Sequence, residues 1–201
     1  MNKNPLWKAI ENRRSFYAID DQINYSPEQI KEVVDLAVKH VPSAFNNQST
    51  RLVLLTGEQH KKLWDLTKKC LKEKISAEAF VNTEKKIDTS FRAGFGTILY
   101  FIADSDTQAL MQQFPQYASN FPTWAEQSSG MHQYILWTLL VDMGLGVSIQ
   151  HYNPLIDQEV QQTWNIDKTW RLVAQMPFGR PLEEPGAKDF KPVEERSLLF
   201  K

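Results

Sequence analysis

The stretch MHQYILWTLLVDMGLGVSIQHY, residues 131–152, joins a helix to a strand through a glycine, and its reading decides the architecture. Nine of the thirteen residues from Met131 to Met143 are apolar. A helix that is apolar on almost every side is buried on almost every side, so this one belongs in the middle of the fold. Gly144 is a natural terminator for it, and GVSIQHY (146–152) then reads as a strand. The most apolar part, 134–149, is broken by Asp142 and two glycines and is too short to span a bilayer.

N-terminal to this stretch, residues 5–12 predict a short helix with Pro5 tolerated in its first turn. Ser26-Pro27-Glu28-Gln29 reads as an N-cap, a first-turn proline and a capping-box glutamine. Behind it Ile30, Val33, Val34, Ala37, Val38 and Val41 recur at helical spacing, and Pro42 ends the stripe. RLVLLT (51–56) reads as a strand, 58–75 as a basic helix turning Leu63, Leu66 and Cys70 inward, TILYFIAD (97–104) as a strand and 106–113 as a helix. Further on, 155–164 predicts a helix and WRLVAQMPFG (170–179) a fourth strand, followed from Pro181 by an extended tail ending in SLLF. With no repeat and no low-complexity segment, the expectation is a single domain over 1–201 in which helices cover a sheet, α+β or α/β.

Composition narrows the function classes. Hydrophobic residues make up 42% and charged residues 23%, a globular balance that excludes wholesale disorder. The formal net charge is -1, from 23 basic and 24 acidic residues, so no global field favours nucleic acid or an anionic membrane. Cys70 stands alone, which excludes an intrachain disulfide and a cysteine-based metal cluster and suits a reducing cytosol. The first fifteen residues lack an apolar signal-peptide core, so the chain is expected to be soluble and cytoplasmic. No Walker motif, HExxH or GxSxG occurs, and Gly94-Phe95-Gly96 lacks the third glycine of a dinucleotide fingerprint. The histidines at 40, 60, 132 and 151 have no metal-ligand spacing, and no metal is expected. Ser148 and His151, three apart on one strand, point to opposite faces and do not suggest a hydrolase.

Three segments share a chemical character. Arg13-Arg14-Ser15 offers guanidinium groups and a hydroxyl, suited to a phosphate beside a polyol. PSAFNNQSTR (42–51) is a dense row of neutral amides and hydroxyls around Phe45. GLGVSIQHYNP (144–154) is a glycine-flanked strand presenting Gln150 and His151. One ligand needs all three surfaces: a flavin mononucleotide, with its phosphate, its ribityl chain and a flat ring edged by carbonyls and ring nitrogens.

With the FGRPLEEPGAKDFKP tail added, these motifs occur in an order and at a spacing that resemble the FMN-dependent nitroreductase family. The likeness is to the short branch that includes the bacterial copper-induced nitroreductase and its fungal relatives. The resemblance implies an α+β fold, a central sheet flanked by helices, built as an intertwined homodimer. It implies that Arg13, Arg14 and Ser15 bind the FMN phosphate and ribityl. It implies that the Pro-Ser-x-x-Asn loop crosses a dimer interface, bringing Pro42, Ser43 and Asn46 to the other subunit's flavin, with Gln48 in support. Ile149, Gln150 and His151 would lie against the flavin ring, and Lys188 would meet the phosphate. Tyr17 and Phe190 stand where many relatives carry basic residues, and Arg180 is the candidate to compensate. The contact to the pyrimidine edge stays open among Asn82, Lys85, Lys86 and Arg92. Phe45, Phe121 and Trp124 suit either a lid over the flavin or packing at the dimer interface.

The implied activity is FMN-dependent NAD(P)H oxidation coupled to nitroaromatics, quinones or similar flat acceptors, with ping-pong kinetics. The flavin carries the chemistry, so no catalytic side chain is expected. No fingerprint selects NADH over NADPH. The competing readings are a flavin-binding or regulatory protein of stress or lipid signalling with little turnover, and an interaction domain without cofactor.

Overall fold

The computed structural model describes residues 4–201. Helix α1 (Pro5–Asn12) starts at Asn4, whose side chain accepts from the Trp7 N–H. A two-residue strand β1 (Ile19–Asp20) follows, then α2 (Pro27–His40). The capping box forms as the sequence predicts: Ser26 Oγ accepts from Gln29 N–H at 3.3 Å, and Gln29 Oε1 accepts from Ser26 N–H at 2.9 Å. Strand β2 (Thr50–Thr56) leads into α3 (Gly57–Lys72), α4 (Ala77–Ile87) and a π turn at Asp88–Arg92. Then come β3 (Gly96–Ala103), α5 (Asp104–Gln113), α6 (Phe121–Asp142), β4 (Gly146–Val147), α7 (Asp157–Trp164) and β5 (Trp170–Pro181).

The sheet is antiparallel throughout, in the order β1-β5-β3-β2, with β4 also pairing β5. β3 is buried along its whole length and divides two cores. Ile98, Tyr100 and Ile102 point to one side, where α2 and α6 pack. Leu99 and Phe101 point to the other, against α3, the π turn and α7. That alternation is the period of two of a strand covered on both faces.

α6 is the long helix of the fold and begins ten residues before the expected start at 131. Its first half buries Ala125, Ser128, Ser129 and His132, small or polar residues that carry no apolar stripe in the sequence. Pro122 lies in its first turn, where its missing N–H breaks no bond. At the other end Leu145 N–H donates to Leu140 O, and Gly144 N–H to Val141 O, both at 2.9 Å. With Gly144 at φ +85° this is a Schellman closure.

Two expectations are corrected. The stretch 57–96 holds α4 and the π turn beyond the single basic helix, because Phe80, Ile87 and Phe91 supply a second set of inward contacts. The strand expected at 146–152 is regular only over Gly146–Val147 and rejoins the sheet at the Gln150–Gln175 bridge. Between them Ser148 N–H reaches Pro177 O at 3.3 Å, and Pro177 has no N–H to return.

The expectation of near-complete burial for the apolar helix also changes within one chain. Met131 is 40% exposed and Tyr134 42%, beside Leu36 of α2 at 50%. With Ile135, Leu139 and Val41 they line a hollow of ≈ 750 Å³. No helix among the described residues is long and apolar enough to cross a membrane.

Candidate functional site

The Arg13-Arg14-Ser15 turn is held against α6 by Trp137. Arg13 stacks its guanidinium 4.5 Å from the indole centroid, and Trp137 Nε1 donates to Arg14 O at 3.0 Å. Trp137 was legible only as one apolar residue of the helix, yet it orients the whole turn. The next residue, Phe16, donates its N–H to Val147 O at 2.9 Å, tying the turn to β4. A side chain at Gly146 would meet Ile19 Cγ2 at 2.8 Å and Phe16 Cβ at 3.1 Å, so this glycine lets the turn lie on the strand. Arg14 also donates to Gly186 O, two residues before Lys188, which draws the tail over the turn. Three of the four expected segments therefore meet at the C-terminal end of α6.

From this cluster the chain runs on along β5, where Ile149 borders the α2/α6 core, Gln150 is half-buried and His151 is exposed. Gln150 Nε2 donates to the buried Ser148 hydroxyl at 3.2 Å. Gln175, fully buried on β5, sets the course of this segment. It exchanges both backbone hydrogen bonds with Gln150, at 2.7 and 2.9 Å, and its Oε1 accepts from Tyr152 N–H at 2.7 Å. Its role was invisible in the sequence, where it reads as one polar residue in an apolar strand.

The fourth segment stands apart. Pro42 O accepts from Ser128 Oγ at 3.2 Å, while Arg14 is bonded to Trp137, nine positions further along α6. At 1.5 Å of rise per residue that is about 14 Å of helix axis. The loop is closed by its own backbone: Asn46 N–H donates to Ser43 O at 3.0 Å and Gln48 N–H to Ser43 Oγ at 2.8 Å. Ser43, expected as a cofactor contact, is thus first an internal staple, with its hydroxyl hydrogen still to give. The side chains of Asn46 and Gln48 are exposed. Among the described residues, Asn47 Oδ1, Ser49 Oγ and Thr50 Oγ1 are buried without a hydrogen-bond partner. Such groups are scarce in finished cores.

Several candidate charges are already engaged. Arg180 pairs bidentately with Asp20, and its hydrogen bonds hold that carboxyl below its ordinary range. Arg92 is forked onto Asp65 at 2.8 and 3.0 Å. Neither guanidinium is free for a phosphate or a ring carbonyl without breaking its pair. Lys188 is exposed, its Nζ 5.1 Å from the Phe190 ring centroid. Cys70 is buried on α3, and burial pushes its thiol up, which makes it inert packing. No group of three or more His, Cys, Asp or Glu among the described residues could hold a metal ion.

The donor types suit a flavin mononucleotide: guanidinium groups for its phosphate and neutral amides for its ring edge. The sequence profile of the nitroreductase family matches residues 10–180. HBN1 of Saccharomyces cerevisiae, named as a nitroreductase, is 35% identical over 185 residues, 91% of each chain. The nitroreductase CinD from Lactococcus lactis, solved with chloramphenicol, superposes with a TM-score of 0.89 at 38% identity, over 98% of this chain and 100% of its own. A crystal structure from Desulfovibrio desulfuricans, named as a nitroreductase in complex with FMN, shares the fold: TM-score 0.70 at 18% identity, over 100% and 99%. The fold and the site define a nitroreductase-like α+β protein, its sheet flanked by helices. This chain belongs to the nitroreductase family, whose chemistry is in general flavin-dependent oxidoreduction.

Proposed function

We propose that this protein is a homodimeric, FMN-dependent NAD(P)H oxidoreductase of the cytoplasm that reduces nitroaromatics, quinones and similar flat acceptors. The observation that carries this reading is the division of the site along α6. Arg13, Arg14, Ser15, the Gly146–Val147 strand and the tail leading to Lys188 lie at one end, and the Ile149–His151 segment follows midway along β5. Pro42, Ser43, Asn46 and Gln48 lie at the other, across the uncovered apolar face of Leu36, Met131 and Tyr134. A second copy seated on that face would bring its loop toward the first copy's arginine turn.

Each group then has a physical task. Arg13 and Arg14 neutralise a phosphate, and Trp137 fixes their direction so that little side-chain entropy is lost on binding. Ser15 donates to the ribityl hydroxyls. Ile149 supplies an apolar ledge, and the partner's Asn46 donates to a ring carbonyl, with Gln48 supporting the loop through its amide on Asn46 O. A flavin held there would supply the redox chemistry, exchanging electrons between NADH or NADPH and the acceptor in two half-reactions, with the protons the acceptor needs coming from solvent. The pocket side chains hold no proton in that scheme, so shape and apolarity rather than a general acid select the acceptor. CinD structures hold chloramphenicol and 4-nitrophenol, both nitro-substituted rings, which supports an acceptor of that class.

The test is the visible spectrum of the purified protein, acid release of the chromophore, and NAD(P)H oxidation with a nitroaromatic and a quinone. Flavin bands with about one FMN per chain and turnover are expected. A protein that stays colourless and refuses added FMN would overturn the reading. A flavin-loaded protein inert with both nicotinamides and both acceptors would instead be the low-turnover regulatory protein.

A further inference from the structure

The loop that carries Asn46 is held in an unusual backbone. Phe45 sits at φ +55° and ψ +23°, Asn46 at φ +52° and Gln48 at φ +51°. Asparagine tolerates the left-handed region because its short side chain bonds locally; a bulky aromatic residue does not. The loop's own hydrogen bonds, from Asn46 to Ser43 and from Asn47 to Ala44, close two overlapping tight turns. The second has Phe45 and Asn46 both left-handed at its centre, a primed turn in which glycine or asparagine, and not phenylalanine, fits without strain.

A phenylalanine at this position gains what glycine or asparagine would lack, contacts of its ring. It lies 4.9 Å from the ring of Phe114, 5.3 Å from Phe121 edge-on, 5.8 Å from Tyr117 and 6.0 Å from Trp124 in a near-parallel stack at 17°. All four neighbours come from the segment between α5 and the start of α6, which supplies no other part of the site. Phe45 nevertheless remains 48% exposed. A phenylalanine kept only to bury area would gain more in an unstrained position with its ring covered. Strain of this kind persists only where the surroundings over-determine it.

We propose that Phe45 is a positioning residue: its ring is clamped by the Phe114, Tyr117, Phe121 and Trp124 cage, and the clamp aims the Asn46 amide at the cofactor, with Gln48 in support. This rests on the flavin reading above and adds a determinant of cofactor affinity outside the contact surface. Loosening the cage lets Phe45 relax to the right-handed region and turns the following amides away.

The experiment separates a clamp from plain packing. In the dimeric protein, FMN dissociation constants are measured for Phe45→Ala, Phe45→Gly, Phe45→Tyr and Trp124→Ala. The clamp predicts affinity weakened roughly tenfold for Phe45→Ala and Trp124→Ala, with no further loss in the double variant because both break one device. Phe45→Gly, which accepts the left-handed backbone without strain, keeps the fold but binds weakly, because the loop is released. Phe45→Tyr keeps the ring and restores wild-type affinity. Amide exchange of Gln48 N–H in the cofactor-free protein reads the loop directly and is expected to speed up in Phe45→Ala. FMN affinity within twofold of wild type in Phe45→Ala, or unchanged exchange at Gln48, would overturn the clamp. If wild type itself binds no FMN, the cofactor reading fails, and the exchange measurement still decides the clamp.

Discussion

The two faces of the sheet are built to different degrees of completion. On the side of α3 the buried side chains His60, Trp64 and Thr67 all have partners inside the chain, while on α7 Asp157 Oδ1 is buried without one. His60 is fully buried with Nε2 donating to Arg92 O at 3.2 Å. Its Nδ1 therefore accepts from the Thr97 hydroxyl at 2.9 Å, and that same oxygen accepts from Trp64 Nε1 at 3.0 Å. Asp65 pairs with Arg92, whose hydrogen bonds hold the carboxyl low, and Lys68 pairs with Asp88. The α2/α6 side is unfinished. It shows Leu36, Met131 and Tyr134 to solvent, leaves the side-chain oxygens of Asn47, Ser49 and Thr50 without hydrogen-bond partners, and carries a strained loop. One face is closed within the chain; the other is the face that the proposed dimer would cover.

Trp64→Ala strikes the finished face hardest. Removing a fully buried indole that also donates to Thr97 is expected to cost about 4 kcal/mol in urea denaturation. The FMN content of the folded fraction should not change.

The same network makes stability depend on pH. Burial holds His60 down at about 4 from its ordinary 6.5, so it is neutral in the folded protein. Between those values the unfolded chain binds the extra proton, so stability is fully present above about pH 6.5 and falls as pH drops toward 4. The loss reaches about 3 kcal/mol, and His60→Gln should flatten that slope in denaturation series from pH 4 to 8.

On the unfinished face, Tyr134→Asp places a charge on the hollow without disturbing the core. A monomer by light scattering and FMN affinity lowered roughly hundredfold, about 2.8 kcal/mol, are expected. An unchanged dimer with full affinity would erase the contrast between the faces.

Gln175→Leu tests the brace between them. It leaves the Tyr152 N–H without its acceptor, a loss of about 2 kcal/mol. It should also shift the bound flavin's absorption bands, because the Gln150–His151 segment loses its course. Ser26→Ala removes one half of the capping box on α2, far from either device. About 1 kcal/mol of stability should go, with cofactor affinity untouched.

How much was legible follows the range of the interactions. The Ser26 cap, the Pro5 and Pro27 first turns and the Gly144 closure were all read correctly, because each is decided by neighbours three to five residues away. That 97–104 forms a strand was legible too, as a short apolar run, but not that it divides two cores. The first half of α6 was not, since Ser128, Ser129 and His132 are buried by the loop and the sheet rather than by an apolar pattern of their own. α4 was hidden because Phe80 and Ile87 are sparse among charged residues. At the site, the arginine turn, the amide loop and the glycine-flanked strand were visible as chemistry. Trp137 and Gln175, which orient them, were not.

The sequence by itself determined the caps, the periods, the family motifs and the kind of ligand their chemistry suits, because those depend on residue type and short spacing. Only the tertiary structure decided that the arginine turn stacks on Trp137, that Gln175 steers the strand after Val147, and that the amide loop stands about 14 Å of helix away. Those placements arise from contacts between residues tens to more than a hundred positions apart, whose geometry exists only once the helices have packed on the sheet.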